Sequence, residues 1–207
     1  MKITVIGATG PTGREITDQL LKAGHEVSAL VRDPSRLDLS HPNLTTTVGD
    51  VFSDDRLEKA MGASQAVVIA LGSGNSLGKT TIRSQGTQRI LEIMAKLNIT
   101  RVLAISAMGT GDSWNQMGMI NRLFYALLLK HSRADHEAQE AAITSTRLDW
   151  TIIRPSGLTN NPGTGTYLMG EGIRAKTSQI PRADVADCVV RVLNDPSYYR
   201  KAITVTN

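Results

Sequence analysis

The sequence predicts a doubly wound α/β fold: a parallel sheet covered by helices on both faces, in one domain spanning residues 1–207. Segments patterned like strands and like helices alternate along the whole chain. The strand segments are continuously apolar rather than alternating, as expected of strands buried on both faces. A glycine-rich turn also joins the first strand to the first helix, the position that binds ligands in such sheets. The right-handed crossover rule then gives the winding.

The elements follow in order. Lys2–Ile6 reads as a buried strand. Gly13–Ala23 reads as a helix, with Ile16, Leu20 and Leu21 at helical spacing and Gly24 as its C-terminal cap. Glu26–Val31 and Asn43–Val48 are strands, and Asp54–Met61 is a short helix. Gln65–Leu71 is a strongly apolar fourth strand, followed by a long helix over Thr80–Leu97 whose apolar face is Ile90, Ile93, Met94 and Leu97. Arg101–Ile105 is the fifth strand, Met117–Thr144 is mostly helical, and Trp150–Ile153 is the sixth strand. Ala183–Leu193 is the final helix and Ala202–Val205 the last strand. The least regular stretches, Ala107–Gln116 and Ser156–Gly172, follow predicted strands. Both are therefore expected at the carboxyl edge of the sheet, where open α/β sheets bind ligands, as the walls of an acceptor pocket.

Composition bounds the possibilities. With 41% apolar and 20% charged residues the chain has the balance of a globular protein, and no apolar run is long enough to span a bilayer. The opening Ile3-Thr4-Val5-Ile6 run is too short for a signal-peptide core. The single cysteine, Cys188, calls for no oxidising compartment, so the expectation is a cytoplasmic protein with no membrane partner. A net charge of +4 without a basic run disfavours nucleic acid and suits an anionic cofactor or substrate. No exposed heptad or long edge strand is evident, which points to a monomer.

The turn Gly7-Ala8-Thr9-Gly10-Pro11-Thr12-Gly13 has the spacing G-x-x-G-x-x-G. Gly7 allows the tight turn, Gly10 lets backbone approach a pyrophosphate, and Gly13 lets the helix pack close to the sheet. The helix N-terminus offers unpaired N–H groups and a positive dipole end to phosphates. A tight turn with no ligand would share this spacing, but its place between a strand and an amphipathic helix is the context that favours a dinucleotide. The end of the second strand selects which one. NAD sites place an acid there for the ribose hydroxyls. Here Val31 is followed by Arg32, with Asp33 next and Arg36 beyond. A guanidinium at this point suits the 2′-phosphate of NADP. The other reading leaves both arginines as solvated charges and gives Asp33 to an NAD ribose. Asp50 either accepts from the adenine amino group or caps the following helix. The Leu71-Gly72-Ser73-Gly74 stretch either passes along the cofactor or is a plain loop.

The segments GATGPTG (7–13), LVRDPSRL (30–37), VGDV (48–51), ALGSGNSL (70–77), ISAMG (105–109) and TIIRPSGLTNNPGTGTY (151–167) together resemble the atypical short-chain dehydrogenase/reductase families. The resemblance runs over nearly the whole chain. GATGxTG and the Arg-Pro pair specify only the superfamily. The L-G-x-x-N-x-L loop and GTGTY lean toward the flavin reductase (biliverdin reductase B) branch, with the NmrA-like NAD(P)-binding proteins a wider second. The resemblance implies that Gly10, Thr12, Gly13, Arg32 and Arg36 bind NADPH phosphates, that Asp50 and Val51 border the adenine, and that Leu71 and Gly72 line the ribose side. Gly7, Thr9, Pro11 and Pro155 complete the expected cofactor-facing set. Ser106 matches the active-site serine of the branch, and it also stands among the expected cofactor contacts. Ser156 stands where the branch has a histidine near the substrate, which puts a histidine-assisted step in doubt.

The acid–base apparatus of ordinary short-chain dehydrogenases, a serine with Tyr-x-x-x-Lys on one helix face, is missing. Tyr125 and Lys130 are five residues apart, roughly 140° around a helix. Hydride transfer to a conjugated acceptor asks less, because the acceptor delocalises the arriving charge and solvent supplies the proton. The expected function is therefore an NADPH-dependent reductase of a flavin such as FMN, of biliverdin, or of a quinone, with the flavin a substrate rather than a bound prosthetic group. Ser106 would orient the nicotinamide or donate to the acceptor, unless it is a strand-end hydroxyl bonded to backbone. Trp114, Pro155 and Tyr167 are candidate stacking surfaces at the acceptor. The alternative function is a non-catalytic NADP(H) sensor. Asp135-His136 matches the flavin reductase pattern and also reads as a solvated helix face. Four histidines without ligand spacing make no metal site. Cys188, aligned with Val185, Val189 and Val192, reads as core.

Overall fold

A computed structural model describes residues 1–72, 74, 78–116, 130–175 and 177–207. Ten strands are described: β1 (Lys2–Ile6), β2 (Glu26–Val31), β3 (Leu44–Val48), β4 (Ala66–Ile69), β5 (Arg101–Ile105), β6 (Asp149–Pro155), β7 (Gly157–Thr159), β8 (Leu168–Gly170), β9 (Gln179–Pro181) and β10 (Lys201–Thr206). Five helices accompany them: α1 (Pro11–Lys22), α2 (Asp54–Met61), α3 (Ile82–Lys96), α4 (Lys130–Thr144) and α5 (Arg182–Val192). Eight strands form one sheet in the order β3-β2-β1-β4-β5-β6-β10-β8, which is the doubly wound arrangement, reversing between β1 and β4. All pairs are parallel except the edge pair β10–β8.

The pleat sorts the core into two layers. Ile3 and Val5 of β1, with Val27 and Ala29 of β2, pack under α1 and α5 against Ile16, Leu20, Val185 and Val189. Ile6, Val67, Ile69 and Val102 point the other way, onto Leu57 of α2, Ile90 and Met94 of α3 and Ile143 of α4. Burial on both faces accounts for the unbroken apolar strands. The polar residues among them are bonded: Thr4 Oγ1 and Ser28 Oγ both donate to the Ala60 carbonyl at the end of α2, at 3.0 and 2.7 Å. Cys188 is buried in the first layer, and burial pushes its thiol up to about 12, so it is core.

Several expectations need correction. Helix α1 begins at Pro11, two residues before the predicted Gly13, because proline at the first helical position loses no bond. The stretch 156–172 is irregular over most of its length, as expected, but it also holds β7, paired to β9, and β8, paired antiparallel to β10. These three-residue strands are fixed by their partners and leave no local period to read. The stretch 107–116 ends in a 3-10 turn, Gly111–Gln116. Of the predicted helix 117–144, residues 130–144 are helical and 117–129, with Tyr125, lie outside the described residues.

Candidate functional site

The carboxyl ends of β1, β4, β5 and β6 converge on the glycine turn and on Ser106. In the turn, Gly7 has φ +96°, and a Cβ there would sit 2.4 Å from the Ala70 carbonyl oxygen. A Cβ on Gly13 would sit 2.1 Å from the Gly7 oxygen. Both positions therefore require glycine. Gly10 N–H closes the turn on Gly7 O at 3.0 Å. It caps α1 without a side-chain bond, and no acid stands in the first turn. The first-turn N–H groups of Thr12 and Gly13 have no intrahelical carbonyl. This close-approach cradle under a positive helix end fits the pyrophosphate of a dinucleotide.

At the end of β2, Asp33 Oδ1 accepts from Ser35 N at 3.0 Å and from Ser35 Oγ at 2.7 Å, capping the turn Pro34–Arg36. The Ser35 hydroxyl and then its N–H hold the Asp33 carboxyl below its usual range. Arg32 is exposed and has no ion-pair partner among the described residues. The acid at this position is thus turned onto its own loop, while the guanidinium stays available. After β3, Asp50 Oδ1 accepts from Phe52 N at 3.0 Å, so it holds its own turn rather than capping α2. Leu71 and Val51 converge over Gly86 of α3, where a Cβ would meet Leu71 Cδ1 at 2.8 Å. This joins two of the residues assigned to the adenosine half. No described residue crowds Gly72. Ser73 and residues 75–77 of the same loop lie outside the described residues. Beside the turn opens a cavity of about 640 Å³, lined by Thr9, Pro11 and Arg36 on one side and by Asn160, Asn161 and Arg182 on the other.

Ser106 ends β5. It is held beside Pro155 because Ser106 N bonds Ile153 O at 2.8 Å and Met108 N bonds Pro155 O at 2.9 Å. Its hydroxyl donates to Glu140 Oε1 at 2.6 Å, so the expectation of a strand-end hydroxyl bonded to backbone does not hold. Arg154 of β6 grips the same carboxylate with two bonds, Nε to Oε1 at 3.0 Å and Nη2 to Oε2 at 2.7 Å. It reaches Asp112 of the 107–116 stretch with Nη1 at 2.5 Å. Burial alone would lower the guanidinium pKa, but hydrogen bonds and charge from Glu140, then Asp112, outweigh it and hold Arg154 above its ordinary value. His136 stands one turn before Glu140 on α4, with Nδ1 3.4 Å from Ser106 Oγ. Burial, then the nearby Arg83 charge, pushes its pKa down to about 3, so the imidazole is neutral. The reading of Asp135-His136 as a solvated face is overturned: both are buried. Asp135 supplies the cap that α3 lacks, accepting from Ser84 N at 3.0 Å and Ser84 Oγ at 2.6 Å.

The expected acceptor residues separate. Trp114 is half-buried beneath the Arg133 guanidinium, 4.0 Å from its ring centre, in the turn that Asp112 ties to Arg154. Tyr167 is corrected: its hydroxyl donates to Asp187 Oδ2 at 2.6 Å, and its ring packs in the α1/α5 layer, opposite the helix that carries Glu140. Ser156 is buried, and its oxygen accepts from Thr206 Oγ1 of β10 at 3.1 Å. Sequence reasoning missed Glu140 and Arg154. The available signal was the four-residue spacing from His136 to Glu140, which puts both on the helix face toward Ser106. Among the described residues no cluster of histidine, cysteine and acids could hold a metal. None of the described helices is long and apolar enough to cross a membrane.

This constellation on a doubly wound sheet defines a nicotinamide dinucleotide-binding protein. A family model described as NAD(P)H-binding matches residues 7–196, and the chain belongs to that family. It is similar to the uncharacterized chloroplastic protein At2g34460 of Arabidopsis thaliana, 30% identical over 93% of this chain and 71% of the relative. Among solved structures, a short-chain dehydrogenase/reductase from Veillonella parvula DSM 2008 in complex with NADP superposes with a TM-score of 0.80, 21% identity, 100% of this chain and 94% of the other. ChuY, an anaerobilin reductase from Escherichia coli O157:H7, superposes with a TM-score of 0.83, 19% identity, 100% of this chain and 97% of the other.

Proposed function

We propose that the protein is an NADPH-dependent reductase of flat conjugated acceptors, of the flavin, bilin or quinone type. The observation that carries this reading is the commitment of the Ser106 proton. The hydroxyl has one hydrogen, and Glu140 takes it at 2.6 Å. Arg154 is spent on Glu140 and Asp112, and His136 is a neutral imidazole, a poor acid. Reducing a simple carbonyl to an alcohol needs a proton delivered to a developing alkoxide. No described residue beside Ser106 offers one. The described tyrosines stand elsewhere: Tyr167 and Tyr198 pack in the opposite layer, and Tyr199 lies under Arg101, 4.5 Å from the guanidinium. A conjugated acceptor spreads the charge and takes its proton from solvent.

The bound nicotinamide would supply the hydride, and the protein's part is placement. Ser106, its proton turned to Glu140, presents only lone pairs to the pocket. It therefore accepts from an N–H or O–H of the nicotinamide carboxamide or of the acceptor, rather than donating. Arg32 and Arg36 favour the 2′-phosphate, which makes NADPH the cofactor of choice. The ChuY likeness supports a bilin among the acceptors to test. In this reading one chain carries both cofactor and acceptor sides, so a monomer suffices. The lone, buried Cys188 suits a reducing compartment such as the cytoplasm. The test follows nicotinamide absorbance with FMN, biliverdin, menadione and an aromatic aldehyde. Turnover with the conjugated acceptors and none with the aldehyde is expected. Comparable turnover of the aldehyde overturns the reading. Tight NADPH binding without turnover of any of them replaces it with an NADP(H) sensor.

A further inference from the structure

We infer that Arg182, at the start of α5, is a cofactor-binding residue that holds the pyrophosphate of the dinucleotide from the side opposite the glycine turn. The cavity beside the turn is one continuous space. Its first wall carries Thr9 and Pro11 at the start of α1 and Arg36 from the loop after β2. Its second wall carries Asn160, Asn161 and Arg182. Two helices thus begin at this cavity, α1 and the 11-residue α5, and neither has a side-chain cap at its N-terminus. The end of α1, with no acid in its first turn, sets the field, whereas α5 carries Asp184 in its first turn and contributes through the Arg182 guanidinium, which supplies the directed donors.

The charges around the cavity favour Arg182 among its cations. Arg14 is already paired with Asp38 at 3.1 Å. Arg36 lies at the end assigned to the 2′-phosphate. Arg182 has no carboxylate partner among the described residues: its Nη1 donates to the neutral Asn160 Oδ1 at 2.6 Å, and its Nε has no hydrogen-bond partner. Its charge is therefore oriented but not neutralised, which suits a diphosphate. The acids Glu15 and Asp18 also line the cavity, further along α1, and Asp18 is bound to Lys22 at 2.6 Å.

The second wall is also held in place. Gln19 Nε2 of α1 donates to Ala183 O at 2.8 Å, clamping the two helices together beside the cavity. Asp184 accepts from Thr164 N at 2.8 Å, Thr164 Oγ1 at 2.9 Å and Gly165 N at 2.9 Å, tying down the segment that carries Asn160 and Asn161. A preorganised wall loses little freedom when the ligand arrives.

This inference rests on dinucleotide binding and not on the proposed acceptor, so failed turnover with intact binding leaves it standing. The test is equilibrium binding of NADPH, NADH and adenosine 2′-monophosphate to wild type, Arg182→Gln, Arg182→Lys and Asn160→Ala. Arg182→Gln should weaken NADPH and NADH by a common factor of about tenfold or more, the range for a hydrogen bond to a charged group. Adenosine 2′-monophosphate, which lacks the pyrophosphate, should bind unchanged. Arg182→Lys should recover part of the loss. Unchanged binding of both dinucleotides, or a loss confined to NADPH and adenosine 2′-monophosphate, overturns the assignment. Should Arg182→Gln fail to fold, Asn160→Ala decides: it leaves the guanidinium unheld and should weaken both dinucleotides by a smaller common factor, and no change in either refutes the inference.

Discussion

Replacing Glu140 by glutamine tests the buried network that the proposed chemistry depends on. The Glu140 and Arg154 side chains are 9% and 7% exposed, and two hydrogen bonds join them. Removing one partner of such a pair typically costs about 3–5 kcal/mol, because the other charge is left buried. Two features reduce that here. Glutamine keeps one acceptor oxygen for Arg154 or Ser106, and Asp112, 80% exposed, still bonds Arg154 Nη1. A loss of about 2–3 kcal/mol remains. For a chain of this size each kcal/mol moves Tm by roughly 2–4 °C, so a fall of about 4–12 °C is expected. Calorimetry of Glu140→Gln, Arg154→Met and the double variant measures it. The double variant buries no unpaired charge and should be more stable than Glu140→Gln alone, giving a coupling energy of opposite sign to the single losses. A Tm for Glu140→Gln within about 1 °C of wild type, or losses that simply add in the double variant, would refute the claim that Arg154 depends on Glu140.

Two further perturbations separate other parts of the site. Arg32→Ala should weaken NADPH by about 1.5–3 kcal/mol in a binding titration and leave NADH nearly unchanged, since only NADPH carries the 2′-phosphate; equal losses would return the choice of cofactor to Asp33. His136 predicts a pH dependence of stability. Its folded pKa of about 3 lies below the unfolded value of 6.5, so the unfolded chain takes up a proton first as pH falls. The stabilisation is complete above pH 6.5 and drains away toward pH 3, at up to about 1.4 kcal/mol per pH unit. Urea melts between pH 7 and pH 5 should show this slope in wild type and a shallower one in His136→Gln; identical slopes would mean that His136 is charged in the folded protein.

What could be read from the sequence was what local pattern encodes. The glycine turn declares itself because Gly7 and Gly13 are demanded by contacts with nearby backbone, and those demands leave a fixed spacing. The buried strands declare themselves by unbroken apolar runs. The chemistry beside Ser106 did not, because it is assembled across the fold. Glu140 on α4 and Arg154 on β6 look like surface charges in the sequence, and only the close packing of helix end on sheet edge buries them together. The same holds for Tyr167, an aromatic in the expected segment that the pairing of β8 with β10 carries to the other layer.

That division between local and assembled features bears on specificity within the fold. The glycine turn fixes where a dinucleotide lies. Ordinary short-chain dehydrogenases pair a serine with a tyrosine and a lysine four residues apart on one helix face. Here the same spacing carries His136 and Glu140, one neutral and one bound to a guanidinium. On α4 this face holds the Ser106 proton through Glu140. Building the tyrosine–lysine pair on that face, by His136→Tyr in a Glu140→Lys background, would place a buried lysine against Arg154, and calorimetry should show loss of the cooperative unfolding transition. The Ser106 hydroxyl is therefore tied through Glu140 to the ion pair with Arg154, and a change at Glu140 requires Arg154 to change with it.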